Sequence, residues 1–267
     1  MSERIIDFHT HAFSDALAPR AMKKLLEEAP DVKAYLDGTV SSLLASMDEC
    51  GIERSVICCI ATRPVQFAGI LKWCEQIQND RLTALPSVHP AAEDVSEQIR
   101  QIKAGGFKGI KMHPYYQDFY MDEERMFPIY ESAGREGLML VMHTGYDIAF
   151  EHIRRADPQR ILNVKRKFPE LKLITTHLGA WQQWDEVEQL LIGQEIYMEI
   201  SFSLEYIERE QARRMILGHP DGYVLFGTDS PWTQQKQTLF LLKELEIPAK
   251  KLKEILSDNA LKLLDVM

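Results

Sequence analysis

His9-Thr10-His11 closes an apolar run that starts at Arg4. In a strand, residues i and i+2 point to one face. If residues 4–11 form a strand, both imidazoles project the same way, a few ångströms apart. That arrangement chelates a borderline metal such as zinc, which takes His, Cys and carboxylate ligands. The motif alone is common in structures without metal, so its meaning depends on what the rest of the chain brings to it.

Seven further apolar runs follow, at residues 54–61, 82–89, 107–113, 138–143, 171–177, 195–201 and 223–229. Each is short, rich in Ile, Val, Leu or Met, and closed by a polar residue, as suits strands buried on both faces. Helical patterns lie between them. Residues 39–50 place Val40, Leu43, Leu44 and Met47 on one face, with Gly51 as the stop. Residues 94–104, 122–135, 205–217, 233–245 and 250–264 read similarly, and Asp157-Pro158 is a cap followed by proline at the first helical position. Residues 13–37 form a longer insertion after the first strand, helical around 21–28. Eight strand–helix units over 267 residues predict one (β/α)₈ TIM barrel domain spanning 1–267. An open doubly wound sheet is the alternative, but no phosphate-binding glycine fingerprint follows the first strand.

Barrel enzymes build their sites at the C-terminal strand ends, which open onto one face. The fourth run ends Lys111-Met112-His113-Pro114, the fifth His143-Thr144-Gly145, the sixth His177-Leu178-Gly179 and the eighth Gly227-Thr228-Asp229-Ser230-Pro231. Five of the eight units therefore deliver a metal-type ligand to one rim, whereas only His152 and His219 look scattered. His89, followed by Pro90, reads as structural.

This ordered set resembles the amidohydrolase superfamily, most closely its branch of aminocarboxymuconate-semialdehyde decarboxylase-like enzymes. The resemblance runs from Ile6-Asp7-Phe8-His9-Thr10-His11 through the four later motifs to Trp232, and residues 255–260 are similar to the family's closing helix. It implies a divalent metal site, zinc foremost, with one or two ions. His9, His11, His143 and Asp229 would ligate one metal. His177 would be a second metal's ligand or a catalytic acid/base, and Asp229 would also accept a proton from the bound water. The ligand chemistry agrees, because three neutral imidazoles and one carboxylate leave the cation positive with an open position. A water there has its pKa lowered from about 15.7 to about 7. In binuclear relatives the fourth strand supplies a bridging carboxylated lysine or a glutamate. Lys111 stands there, and its plainer reading is a buried stem paired with a carboxylate such as Glu199.

Arg63, His113, Tyr115, Tyr116, Trp181 and Trp232 all follow strand ends and are candidate substrate contacts, with Arg63 suited to a carboxylate. The aromatics could equally pack loops. Trp73 and Trp184 sit in helical stretches and read as core or interface. The main functional expectation is a metal-dependent hydrolase of an ester, lactone or amide. The alternative is a metal-dependent non-oxidative decarboxylase of an unsaturated or aromatic acid, and a further one is a non-catalytic metal-binding barrel. A TatD-type nuclease also begins with His-x-His, but would want a glutamate on the fourth strand.

Composition narrows the partners. With 31 Lys plus Arg against 40 Asp plus Glu, a net charge of −9 argues against a general nucleic-acid or anionic-membrane binder. A small-molecule substrate is expected, possibly a carboxylate. No long apolar run predicts a membrane span, and no signal-peptide core is evident. Cys50, Cys58, Cys59 and Cys74 read as reduced. These features predict a cytoplasmic protein. A homodimer is conceivable through Trp184 and Tyr206.

Overall fold

In the computed structural model, which describes residues 4–264, parallel strands and helices alternate along the chain. β1 (Ile6–Thr10) is followed by α1 (Ala18–Glu28) and α2 (Val40–Cys50), β2 (Arg54–Cys58) by α3 (Phe67–Ile77), and β3 (Leu82–Leu85) by α4 (Val95–Ala104). Then come β4 (Gly109–Met112), α5 (Phe127–Arg135), β5 (Met139–Met142), α6 (Pro158–Lys167), β6 (Leu173–Thr175) and α7 (Trp184–Leu190). β7 (Tyr197–Glu199), α8 (Arg209–Gly218), β8 (Val224–Leu225), α9 (Gln235–Glu244), α10 (Ala249–Lys253) and α11 (Asn259–Leu264) complete the order.

Ladders of parallel pairs join β1 through β3 and β4 through β8. Two seams close the ring. At one, Lys111 N donates to Pro86 O at 2.9 Å and Ser87 Oγ to Lys111 O at 2.7 Å. At the other, Phe8 N donates to Phe226 O at 2.8 Å and Asp229 N to His9 O at 2.7 Å. The result is the expected (β/α)₈ barrel. Alternate strand residues divide between two apolar clusters. Ile57, Ile110, Leu140 and Met198 pack outward among the helices. Phe8, Val56, Val141, Ile174 and Leu225 fill the interior, joined by Ala260 and Leu264 of α11.

Two signals act as read: Gly51 ends α2, and Asp157 caps α6 through Gln159 N at 3.1 Å. Thr39, not singled out in the sequence, caps α2, its Oγ1 accepting from Ser42 N at 3.2 Å. α3 and α7 carry Trp73 and Trp184, both read as helical. Other expectations are corrected. α8 begins at Arg209 rather than 205, because Glu208 supplies its cap by accepting from Gln211 N at 2.9 Å. The closing helix is interrupted by a π turn at Glu254–Asp258, and Ile255 O accepts from Phe226 N at 3.0 Å. This tie lies next to β8, which is only two residues long. The ends of the insertion are pinned together: Phe13 N donates to Gly38 O at 2.8 Å, and Tyr35 N to Pro231 O at 2.8 Å. Among the described residues no helix is long and apolar enough to cross a membrane.

Candidate metal centre and active site

β1 does not deliver its histidines by plain alternation. Asp7 pairs with Ser55 but Thr10 with Ile57, so three residues of β1 span two of β2. Such a bulge re-aims side chains at a strand end. His9 Nε2 lies 3.1 Å from His11 Nε2, and Asp229 Oδ1 is 3.4 Å from the first and 3.1 Å from the second. Asp229 arrives from the loop after β8 in the left-handed backbone region, at φ 64°. Asp7 anchors that loop, accepting from Thr228 N at 3.0 Å, Thr228 Oγ1 at 2.6 Å and Gln235 Nε2 at 2.7 Å. Burial pushes the Asp7 carboxyl up to about 7.

The second nitrogen of each imidazole is committed elsewhere. His11 Nδ1 donates to Cys58 O at 2.8 Å. His9 Nδ1 donates to Glu199 Oε1 at 2.9 Å. Glu199 is wholly buried and also accepts from Ser201 N at 2.6 Å, Ser201 Oγ at 2.8 Å and His177 N at 3.2 Å. Burial raises its pKa to about 8. A Cβ at Gly227 would stand 2.4 Å from Glu199 Oε2, so only glycine leaves room for this carboxylate.

Both Nε2 atoms therefore present lone pairs to Asp229 Oδ1, which has no hydrogen-bond partner although buried. Three converging acceptors repel unless a cation stands among them. For metal–nitrogen bonds of about 2.0–2.1 Å, tetrahedral ligands sit about 3.4 Å apart, close to the spacing observed. Burial and the Lys111 ammonium hold His9 well below the usual imidazole range, keeping it in the neutral form that binds metal. The residues fit a divalent cation, and the chain carries a metal-type site. Lys111 is itself buried, with Nζ 3.3 Å from His9 Nε2.

The structure places His143 differently from its expected grouping. It joins His113 and Asp147 in a second cluster of potential ligand atoms. The His113 and His143 rings stack with centroids 4.0 Å apart, and Asp147 Oδ2 lies 3.3 Å from His113 Nε2 and 3.5 Å from His143 Nε2. His177 contacts this second cluster: its Nε2 is 3.1 Å from His143 Nδ1, and its Nδ1 donates to Ser201 O at 3.0 Å. His143 Nε2 faces Tyr146 O at 3.1 Å. With both outer nitrogens donating to carbonyls, the two inner nitrogens share no proton while the rings are neutral. A proton or a cation at that contact satisfies both. Burial lowers the pKa of His177 to about 4.

Local backbone ties hold these rings. Thr144 and Thr176 exchange hydrogen bonds, Thr144 N to Thr176 Oγ1 at 3.1 Å and Thr176 N to Thr144 Oγ1 at 2.9 Å. Trp184 Nε1 donates to His177 O at 3.0 Å, so this tryptophan positions the site rather than serving only as core or interface. At Gly145 (φ 87°) a Cβ would meet Trp181 N at 2.0 Å, which fixes the close approach of the two loops. Gln117 accepts from His113 N at 2.8 Å and donates to Ala61 O and Val88 O.

A cavity of about 500 Å³ opens above the histidines, lined by His9, His11, His113, His143, His177 and Asp229 at the strand ends. Tyr116, Trp181, Phe202 and Trp232 add aromatic walls. Trp181 Nε1 is buried without a partner. Arg63 is exposed and does not line this cavity, and Tyr115 is spent on structure, its hydroxyl donating to Ile153 O at 2.6 Å with Gly145 O 2.9 Å away as the alternative acceptor. His89 accepts from Ala91 N at 3.1 Å in a turn outside the cavity. Sequence reasoning missed Asp147 and Gln117 and placed Glu199 only as a partner for Lys111. Asp147 stands four residues beyond His143, and Glu199 is a lone carboxylate in an apolar strand.

Solved structures share this fold. An uncharacterized TIM-barrel protein from Bordetella bronchiseptica is 20% identical, with a TM-score of 0.78 and 98% of each chain covered. A dihydroxybenzoic acid decarboxylase from Polaromonas sp. JS666, with bound manganese and the inhibitor 2-nitroresorcinol, is 15% identical with a TM-score of 0.74, covering 99% of this chain and 98% of that one. 5-Carboxyvanillate decarboxylase from Sphingomonas paucimobilis is 13% identical, with a TM-score of 0.72 and all of both chains covered. No curated protein sequence matches significantly. A family model described as amidohydrolase matches residues 6–266, and the chain belongs to this enzyme family.

Proposed function

We propose that this protein is a metal-dependent, non-oxidative decarboxylase of an aromatic or unsaturated acid. The observation that carries the reading is the cavity, with a histidine–aspartate floor under aromatic walls. Two structural relatives that share the fold over essentially the whole chain are decarboxylases of aromatic acids. The hydrolase expectation uses the same ligands, and two further structural relatives are described as amidohydrolases, but the relatives described by a substrate are decarboxylases.

His9, His11 and Asp229 would hold the cation, and His143, whose Nε2 is committed to Tyr146 O, could add only its Nδ1 as a further donor. A bound divalent ion supplies Lewis acidity that anchors and polarises the substrate oxygens. The donor set of imidazoles and a carboxylate suits zinc, and the manganese in one relative makes that ion the competing choice. Trp181 Nε1 and His113 orient the substrate, and Trp232 and Tyr116 pack on its ring. The carbon–carbon bond to the carboxylate breaks, CO₂ leaves, and the electron pair left on carbon takes a proton that water supplies by way of His177, whose Nε2 is unprotonated in the resting neutral ring. Arg63 has no part in this arrangement.

The test is CO₂ release from a panel of hydroxybenzoates and unsaturated acids, followed alongside hydrolysis of esters, lactones and amides. Decarboxylation that requires metal and is lost in Asp229→Asn is the expected result. Hydrolysis without CO₂ release would replace this reading with the hydrolase one. Bound metal with no turnover on either panel would leave a non-catalytic barrel.

A further inference from the structure

The polar floor accounts for only part of the cavity wall. The insertion after β1 contributes Phe13, Leu17, Leu25, Ala29 and Val32, and the segment carrying α3 contributes Val65, Gly69, Ile70 and Trp73. Neither Lys nor Arg lines the cavity among the described residues. Three of the large apolar side chains that remain exposed belong to the same cavity: Leu17 at 39%, Ile148 at 39% and Val65 at 83% exposure. Apolar groups left in contact with water around a concave site mark a surface that a ligand covers. A small ring acid on the metal floor leaves these walls uncovered in a cavity of this size.

We infer that the walls formed by the insertion and α3 are a second subsite, which takes an uncharged hydrocarbon substituent of the acid whose carboxylate sits on the histidine floor. This rests on the acid-binding reading above and narrows it to acids bearing an alkyl or aryl extension. The anionic end of the substrate belongs at the floor, and the arm holds no cation that would pair with a second charge. Gly69 lies in α3 with nothing within 4 Å of the position a Cβ would take and without a positive φ. Gly69 is itself part of the cavity wall, so a larger side chain there, which the helix accommodates, is the change chosen to narrow the arm. Leucine also exceeds glycine in helix propensity.

The experiment is calorimetric binding of benzoate and 4-butylbenzoate to the metal-loaded protein, wild type and Gly69→Leu. Burial of a methylene group is worth about 0.8 kcal/mol, about fourfold per carbon, so butylbenzoate should bind wild type on the order of 10²-fold more tightly than benzoate. In Gly69→Leu that ratio should fall by about tenfold or more. A ratio under about threefold in wild type overturns the subsite while leaving acid binding intact, and a large ratio unchanged in Gly69→Leu overturns its location. A large, Gly69-sensitive ratio in a protein that releases no CO₂ from any acid supports the subsite and defeats the decarboxylase reading alone. Binding of neither acid overturns both.

Discussion

Glu199 Oε1 stands 2.9 Å from His9 Nδ1, and neither side chain is in contact with solvent. The carboxylate fixes the tautomer in which His9 Nε2 keeps its lone pair, and it increases the basicity of that nitrogen. Glu199→Gln keeps the shape but removes the group's ability to ionise when a cation binds, and one of its oxygens becomes an amide nitrogen facing Ser201 N or His9 Nδ1, both donors. Partners of this type change metal affinity by about 10–100-fold. Metal affinity measured by chelator competition should fall by that factor, while the melting temperature of the metal-free protein changes far less than for a collapsed core. An unchanged metal affinity would remove Glu199 from the site.

Gly227 is linked to the same carboxylate by space alone. The position of a Cβ there is 2.4 Å from Glu199 Oε2 and 3.2 Å from the Cβ of His9. Both are held inside the barrel and cannot give way cheaply. Gly227→Ala should cost about 1–3 kcal/mol, the range for overpacking, and lower metal content at the same time. Urea unfolding and elemental analysis read the two effects. A variant as stable and as metal-rich as wild type would mean that the β7–β8 packing is looser than described.

His177 separates two roles that share one position. Its φ of 58° is tolerated by asparagine better than by most residues, so His177→Asn preserves the loop. If the ring moves a proton at the reacting carbon, kcat should fall by about 10²–10⁴-fold with full metal content. Loss of metal in proportion to loss of activity would instead make it a ligand.

Much of this site is legible in the chain because each strand end carries its chemistry on consecutive residues. His9, His11, His113, His143, His177 and Asp229 all line one cavity, as their positions after apolar runs implied. The grouping was not legible. A bulge in β1 and left-handed backbone at His177 and Asp229 set which atoms meet, and neither leaves a periodic signal. Asp147 lies in an irregular loop and Glu199 inside a strand, where a carboxylate is identified only once His9 is seen beside it. The exposure of Arg63 had no sequence sign, because loops after strand ends can turn either toward the axis or away from it.

His219 offers a pH response away from the metal site. It lies just beyond α8, with Nε2 donating to Ile196 O at 2.8 Å and Nδ1 buried without a partner. Burial lowers its pKa to about 4, and Lys251, whose ammonium bonds to His219 O at 2.7 Å, adds in the same direction. Asp221 pairs with Lys251 at 3.0 Å, and the Tyr223 ring lies across from the imidazole. Above pH about 6.5 the ring is neutral in both folded and unfolded chains and contributes no slope. As pH falls from about 6.5 toward about 4, the unfolded chain takes up the proton first, so stability is lost across that window and no further below it. Between pH 7 and pH 5 this amounts to about 2 kcal/mol at about 1.36 kcal/mol per unit. His219→Gln can still donate to Ile196 O but cannot titrate. Its unfolding free energy in urea should therefore drop by about 2 kcal/mol less than wild type over the same interval, whatever its stability at pH 7. Equal drops in the two proteins would show that His219 is protonated as readily folded as unfolded.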